Sequence, residues 1–360
     1  MLPPSRTGGD RRRTARPQPT SSRRGVAGRL LGLLVVVALV AGACLDDLAA
    51  RAGLTFGLFI QGGTELERSL VLEHADATTN HGLSWSVIQP APDQWNFGPA
   101  DATYDWAVAN DLHQTGFHFA WDQQALDDLA PWVLAVTDPD ELRAVLADRA
   151  ARIFDRYPQL DRIDIINEPF QILGGSLYVN HFHQVLGPDY IAELFAIVDA
   201  HAPATTELIV NENFIEYSQP KADALVALVA DLVGRGVAID GVGLQSHFLF
   251  GEPDWARYEQ VMRDIGALGL PVHITELDVP VAPTLPNRLT VQRSRYRRAV
   301  QICLDVPACR SLTVWGVDDG HTWIDGLFGP GYDPLLFDAA GRPKPAWGGV
   351  VEALLAAQPT

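Results

Sequence analysis

A chain of 360 residues, 47% of them hydrophobic and nine of them Trp, can bury one large core, and α/β barrels often reach this size as a single domain. Its formal charge is −17, and because residues 1–43 hold eight Arg and one Asp, the remainder carries 19 basic against 43 acidic residues. So acidic a surface repels nucleic acid and anionic lipid, which excludes both as partners and favours a neutral or weakly charged substrate.

Residues 1–43 read as an export signal. Arg11, Arg12, Arg13, Arg23 and Arg24 precede an apolar run from Leu30 to Ala41, too short for a membrane span, and Ala41-Gly42-Ala43 supplies a cleavage site. Ser22-Arg23-Arg24 resembles a twin-arginine signal, and Cys44 directly after Ala43 opens a second route, a lipidated N-terminal cysteine. The expected location is extracellular, with a lipid anchor at Cys44 as the sole membrane attachment. Residues 44–53 are expected to be a short tether ahead of a domain over residues 54–357.

From Thr55 onward, short apolar runs alternate with amphipathic stretches. Strands are expected near Thr55–Ile60, Gly82–Trp85, Gly116–Trp121, Arg162–Asn167, Glu207–Asn211, Gly241–Ser246, Val272–Leu277 and Ser311–Trp315. Helices are expected over Ala100–Asn110, Asp138–Tyr157, Pro188–His201, Lys221–Gly234, Trp255–Leu268 and Leu289–Leu304. Eight strands alternating with helices predict a closed parallel (β/α)8 barrel, the TIM barrel. An open doubly wound sheet is the alternative, but no Gly-x-Gly-x-x-Gly follows the first strand to support dinucleotide binding.

The expected strand ends are polar. Strand four ends on Asn167-Glu168, strand five on Asn211-Glu212-Asn213, strand six on Gln245-Ser246-His247, and strand seven on Glu276 with Asp278 just beyond. In a barrel such ends meet on one face, where barrel active sites lie. Glu168 and Glu276 would face each other there as the carboxyl pair that glycoside hydrolysis requires. One of them must stay protonated until it donates to the leaving oxygen, and the charge of the other raises its pKa. His181-Phe182-His183 reads as an incidental loop pair rather than metal ligands, and no metal or other cofactor is expected. Cys303 and Cys309, close together in an exported chain, most often form a disulfide; two free buried thiols are the alternative.

These residues resemble a known family. Asn167-Glu168-Pro169 and Thr275-Glu276-Leu277-Asp278 are similar to the signatures of glycoside hydrolase family 10, the endo-1,4-β-xylanases, which are built on an eight-stranded barrel. The likeness runs from Phe56 almost to the C-terminus. It takes in Gln94-Trp95-Asn96-Phe97, Gly241–His247, Cys303 to Cys309 with the disulfide before strand eight, Leu312–Asp319, Thr322-Trp323, Pro334–Asp338 and Lys344–Trp347. The resemblance implies a monomeric, cofactor-free enzyme that cleaves β-1,4 bonds of a plant polysaccharide or oligosaccharide, xylan first, internally and with retention. Glu168 would be the general acid/base and Glu276 the nucleophile. Asn167 and Gln245 would contact the sugar near its 2-hydroxyl. His247 would bridge Glu276 and Asp278, and Asn211 would support the pair. Trp315 and Trp323 would form an aromatic floor and wall, with Asn80 and Trp121 also at the sugar.

The departures fall among substrate-reading positions. Ser84 stands where the family has a Lys before Trp85, Asp122 where it has a His after Trp121, and Asn211-Glu212-Asn213-Phe214 where it has Asn-Asp-Tyr-Asn. These exchanges change donors and charge together, and Asp122 is expected to contact substrate and to raise the pKa values of the acid pair. A retaining glycosidase for β-glucan or oligosaccharide, or a carbohydrate-binding surface lipoprotein without activity, are the rival readings.

Overall fold

In the computed structural model of the protein, the described residues are 44–122 and 129–358. The export signal expected over 1–43 lies outside them. The strands are β1 (Thr55–Leu58), β2 (Ala77–Asn80), β3 (His113–Gly116), β4 (Arg162–Asn167), β5 (Glu207–Glu212), β6 (Gly241–Leu244), β7 (Val272–Leu277) and β8 (Cys309–Val314). They pair in parallel in sequence order, and β8 closes on β1 from Thr55↔Ser311 to Leu58↔Val314. The fold is the TIM barrel that the alternation predicts. β4 and β7 are buried along their whole length, as expected of strands with side chains inside the barrel on one face and helices on the other.

The helices show how local sequence builds the outer ring. Pro139–Arg156 starts where Asp138 accepts the N–H groups of Asp140 and Glu141, with Pro139 in its first turn. Leu142, Leu146, Ala150 and Ile153 then recur at helical spacing and are buried against the barrel. Arg149 shares that face, and its guanidinium donates to the carbonyls of Leu83, His118 and Phe119. One buried side chain thus fastens the segments after β2 and β3. A disulfide joins Cys303, near the end of the Arg288–Asp305 helix, to Cys309 at the start of β8.

Four expectations are corrected. Residues 44–53 are not a tether: Leu45–Arg51 form a helix whose Leu45, Leu48 and Ala49 are buried, and Gln358 donates to the Leu48 carbonyl at 3.1 Å. The second strand is Ala77–Asn80, and the expected Gly82–Trp85 strand is a 3-10 turn (His81–Leu83) leading into a short helix (Trp85–Ile88). Ala77-Thr78-Thr79-Asn80 hides as a strand because it is polar, yet all four residues are buried, and the Thr78 hydroxyl donates to the Leu58 carbonyl of β1 at 2.9 Å. The third strand is His113–Gly116, so it ends where the expected Gly116–Trp121 strand begins, and Trp121 lies five residues beyond it. His181-Phe182-His183, read as loop, opens a helix capped by Asn180. Among the described residues no helix is long and apolar enough to cross a membrane.

Candidate active site

Both glutamate-bearing strands lose register at their C-terminal ends, β4 against β5 between Asp164 and Ile166, and β7 against β8 between Ile274 and Leu277. A one-residue shift turns the following side chains to the other face. Asp164 and Asn167, whose spacing would put them on opposite faces of a regular strand, both meet the Asn211 amide, at 3.2 and 3.1 Å. Adjacent Thr275 and Glu276 likewise both reach Asn211. Just past β4, β5 and β6, Glu168, Phe214 and Ser246 adopt left-handed backbone at φ 52°, 54° and 66°. Such strain in side-chain-bearing residues clusters at functional sites.

Asn211 is the centre of the arrangement. Its Nδ2 donates to Glu276 Oε1 at 2.7 Å, and its Oδ1 accepts the Thr275 hydroxyl at 2.7 Å. The space for it comes from β6, where a Cβ on Gly243 would lie 2.4 Å from Asn211 Oδ1. On the other side of Glu276, His247 Nε2 meets Oε2 at 3.2 Å while Nδ1 meets Asp278 Oδ2 at 2.9 Å. Burial alone would lower the His247 pKa, but Asp278 and Glu276 overcome it and raise it to about 10. His247 is therefore an imidazolium at neutral pH, donating from both nitrogens. The Trp323 indole N–H donates to the same Asp278 oxygen at 2.8 Å.

Glu168 has different surroundings. Its Oε1 accepts from Gln245 Nε2 at 2.8 Å, and the same amide reaches Asn167 Oδ1 at 3.1 Å. Desolvation raises the Glu168 pKa above the ordinary value, the charge of Glu276 adds to this, and the Gln245 hydrogen bond opposes it. One carboxyl is thus biased toward holding a proton, while the other lies between an imidazolium and an amide that both donate to it. Asn167 Nδ2 is buried and has no hydrogen-bond partner among the described residues, so a donor remains beside the pair.

Behind Glu168 lies a feature that sequence reasoning missed. Glu212 and Lys221 form a fully buried ion pair at 2.7 Å. Glu212 also accepts the N–H groups of Phe170 and Asn213, and Lys221 reaches the Ile172 carbonyl and Asn213. Burial raises the Glu212 pKa to about 7 against the pull of Lys221. The pair fastens the segment after Glu168 to the one after β5. A lysine in a first helical turn reads as exposed, yet Lys221, Leu225 and Val229 share one buried face at helical spacing, which was the available signal.

Several expected contacts are otherwise engaged. Asn80 is fully buried, with its Nδ2 donating to the Ala100 carbonyl and its Oδ1 accepting the Gly82 N–H, so it caps the turn after β2. Ser84 is fully buried at the start of the Trp85–Ile88 helix. Asp122 is buried and accepts the His181 N–H at 2.6 Å. The charge that adds to the raised Glu168 pKa is that of Glu276, not of Asp122. Trp121 packs edge-on to His118 at 5.2 Å. Trp315 is where expected, and it belongs to a cluster with Phe59 and Phe117 against which Trp323 packs, with His81 beside them. Had Ala77–Asn80 been read as a strand, His81 would have fallen at the mouth.

Glu67, Asp318 and His321 bring potential ligand atoms within 4.8 Å of one another. The Glu67 oxygens are, however, occupied by the N–H groups of Gln61, Gly62 and Thr64, so the trio clasps a loop and offers a metal little.

The sequence profile of glycosyl hydrolase family 10 matches residues 44–353. The chain belongs to glycosyl hydrolase family 10. It is a glycoside hydrolase of the endo-1,4-β-xylanase-like type. The endo-1,4-β-xylanase 1 of Humicola insolens is 30% identical over 338 residues, covering 90% of this chain and 77% of that protein. Endo-1,4-β-xylanase B of Thermotoga neapolitana is 28% identical, covering 77% and 80%. Among solved structures, xylanase 10B of Thermotoga petrophila in complex with xylobiose superposes with a TM-score of 0.81 at 25% identity, covering 88% of this chain and 98% of that one. The match begins at residue 44, which agrees with the N-terminal helix being part of the domain.

Proposed function

We propose that this family 10 hydrolase cleaves internal β-1,4 bonds of xylan with retention, Glu276 acting as nucleophile and Glu168 as acid/base. The observation that carries this reading is the asymmetry of the pair: Glu276 lies between the His247 imidazolium and the Asn211 amide, while burial biases Glu168 toward its protonated form. In the first step a Glu276 oxygen bonds to C1 of the sugar, the glycosidic bond breaks, and the Glu168 proton passes to the departing oxygen. Esterification removes the Glu276 charge, so one cause of the raised Glu168 pKa vanishes and its carboxylate becomes a base. Glu168 then takes a proton from water, the water oxygen bonds to C1, and Glu276 is released as carboxylate. The unpartnered Asn167 Nδ2 serves the 2-hydroxyl, and Trp315 and Trp323 offer faces to the sugar's C–H surface. The names of the relatives and the xylobiose complex of the Thermotoga petrophila enzyme support xylan as substrate.

Reducing-end release from β-1,4-xylan and β-1,4-glucan, run beside Glu276→Ala, tests the reading. Xylan cleavage by the wild type alone is expected, and no release from xylan would defeat the substrate assignment. NMR of the first product should show the β-anomer; an α-anomer would overturn retention. We further propose export with cleavage after Ala43 and acylation of Cys44, a free cysteine immediately ahead of the folded helix. Acyl labelling that persists in a Cys44→Ser variant would refute the anchor.

A further inference from the structure

This inference rests on the reading of Glu276 as nucleophile and Glu168 as proton donor. The leaving group then lies on the Glu168 side, and the sugar under attack extends the other way, over the arc that runs from β7 through β8, β1 and β2. That arc is aromatic. Phe59 lies on Trp315 with ring centres 4.3 Å apart and 25° between planes, and His81 lies on Phe117 at 4.9 Å and 19°. Trp315 and Phe117 meet at 5.0 Å, so the four rings make one wall. Against three of these rings, Phe59, His81 and Trp315, opens a cleft of about 340 Å³ that Trp323 and Val87 also line. That volume is at the small end of ligand sites and suits one sugar residue with a substituent.

The chemistry of the lining is selective. Its other polar side chains, Gln61, Thr79 and Thr103, are neutral, and among the described residues it holds no carboxylate, lysine or arginine. A site that recognises bare hydroxyls surrounds them with matched donors and acceptors, because a hydroxyl buried without a partner loses its hydration for nothing. A wall of rings cannot supply such partners for every hydroxyl of a pyranose. It can bury a methyl group, and the neutral amide and hydroxyls can donate to an ester carbonyl. An anionic substituent would find no lysine or arginine among the described lining residues.

We infer that this cleft binds a glycone residue whose outer hydroxyls carry an apolar acyl group, O-acetyl being the smallest, in preference to the bare sugar. The probe is a pair of xylo-oligosaccharides of one length, O-acetylated and chemically deacetylated, titrated by calorimetry into the inactive Glu168→Gln enzyme. The acetylated member is expected to bind at least about 10-fold tighter, the scale of discrimination that one buried apolar group supplies. Equal binding, weaker binding, or no binding of either member overturns the inference. Val87→Lys, on the same Glu168→Gln background, places a cation in the lining and is expected to bring the ratio close to one without changing the unfolding temperature by more than a few degrees. An unchanged ratio in that variant would overturn the assignment to this cleft. Wild-type turnover of deacetylated xylan reports separately on the proposed function. Turnover without an acetyl preference keeps that function and rejects this inference, whereas an acetyl preference in binding without any turnover does the reverse.

Discussion

Between β4 and β7 the barrel mouth is a lattice of amides, carboxylates and one imidazolium, held at 2.7–3.2 Å around Asn211, Gln245 and His247. From β8 through β3 it is ring against ring, with centroids 4.3–5.0 Å apart and little hydrogen bonding. The two halves tolerate change differently. A hydrogen-bond lattice fails when one atom moves by a fraction of an ångström, because each buried group depends on its partner. Stacked rings exchange one apolar contact for another at modest cost. Of the departures from the family pattern, Ser84 and Asp122 follow β2 and β3, while Glu212-Asn213-Phe214 lies at the end of β5 in the first half, where the buried Glu212–Lys221 pair takes it up.

Substitutions can break or sharpen that contrast. The largest effect is expected from Glu276→Ala, a fall in kcat on the order of 10⁴-fold or more with an unchanged circular dichroism spectrum. Phe59→Leu on the aromatic side should instead raise KM by about threefold and leave kcat within twofold, and a matching collapse of kcat would erase the distinction between the halves.

His247→Gln is expected to lower kcat by roughly 10²-fold, since it replaces a cation beside Glu276 with a neutral amide. It should also change how stability responds to pH. The folded-state pKa of His247 is raised to about 10 from an ordinary 6.5, so its contribution is complete below about pH 6.5 and disappears as pH climbs toward 10. Wild-type unfolding temperature should therefore fall across pH 7–10, and the fall should be smaller in the variant. Parallel curves would show that the imidazolium is not held as described.

Gly243→Ala places a carbon against Asn211 and should cost about 10-fold in kcat with little change in KM, because Asn211 acts by holding Glu276. The smallest effect is expected from Asp122→Asn. Its carboxylate serves the His181 N–H, so stability should drop by about 1 kcal/mol while preference between xylan and glucan stays within twofold. A switch in preference would return Asp122 to the substrate.

The legibility of the sequence divides along the same line. β4 and β7 were readable to the residue because they are apolar runs stopped by a carboxylate, and the mouth residues Asn167, Gln245, His247, Trp315 and Trp323 follow from strand ends that were placed nearly right. β2 was not readable, since its buried Thr78 and Thr79 break the expectation that a buried strand is apolar: Thr79 lies with Thr115, Arg162 and Asp164 inside the barrel, and Thr78 gives its hydroxyl to the Leu58 carbonyl. That one shift carried Ser84 and Asn80 toward the substrate on paper and left His81 and Phe117 unnoticed. No periodicity reveals the register shifts that turn both Asn167 and Asp164, or both Thr275 and Glu276, toward Asn211, because a bulge is a property of two paired strands rather than of either one.

Were Cys44 acylated as proposed, the helix over Leu45–Arg51 would set the bearing of the whole enzyme. It lies where β1 begins, so Cys44 stands at the base of the barrel and the glutamates at its rim. With Leu45 fully buried and Gln358 clasping the next turn, there is no slack between a lipid at Cys44 and the body of the protein. A lipidated enzyme would stand upright on its membrane with the cutting edge turned away from the cell. It would graze polymer at one fixed height, and any product released there would already be within reach of the surface below.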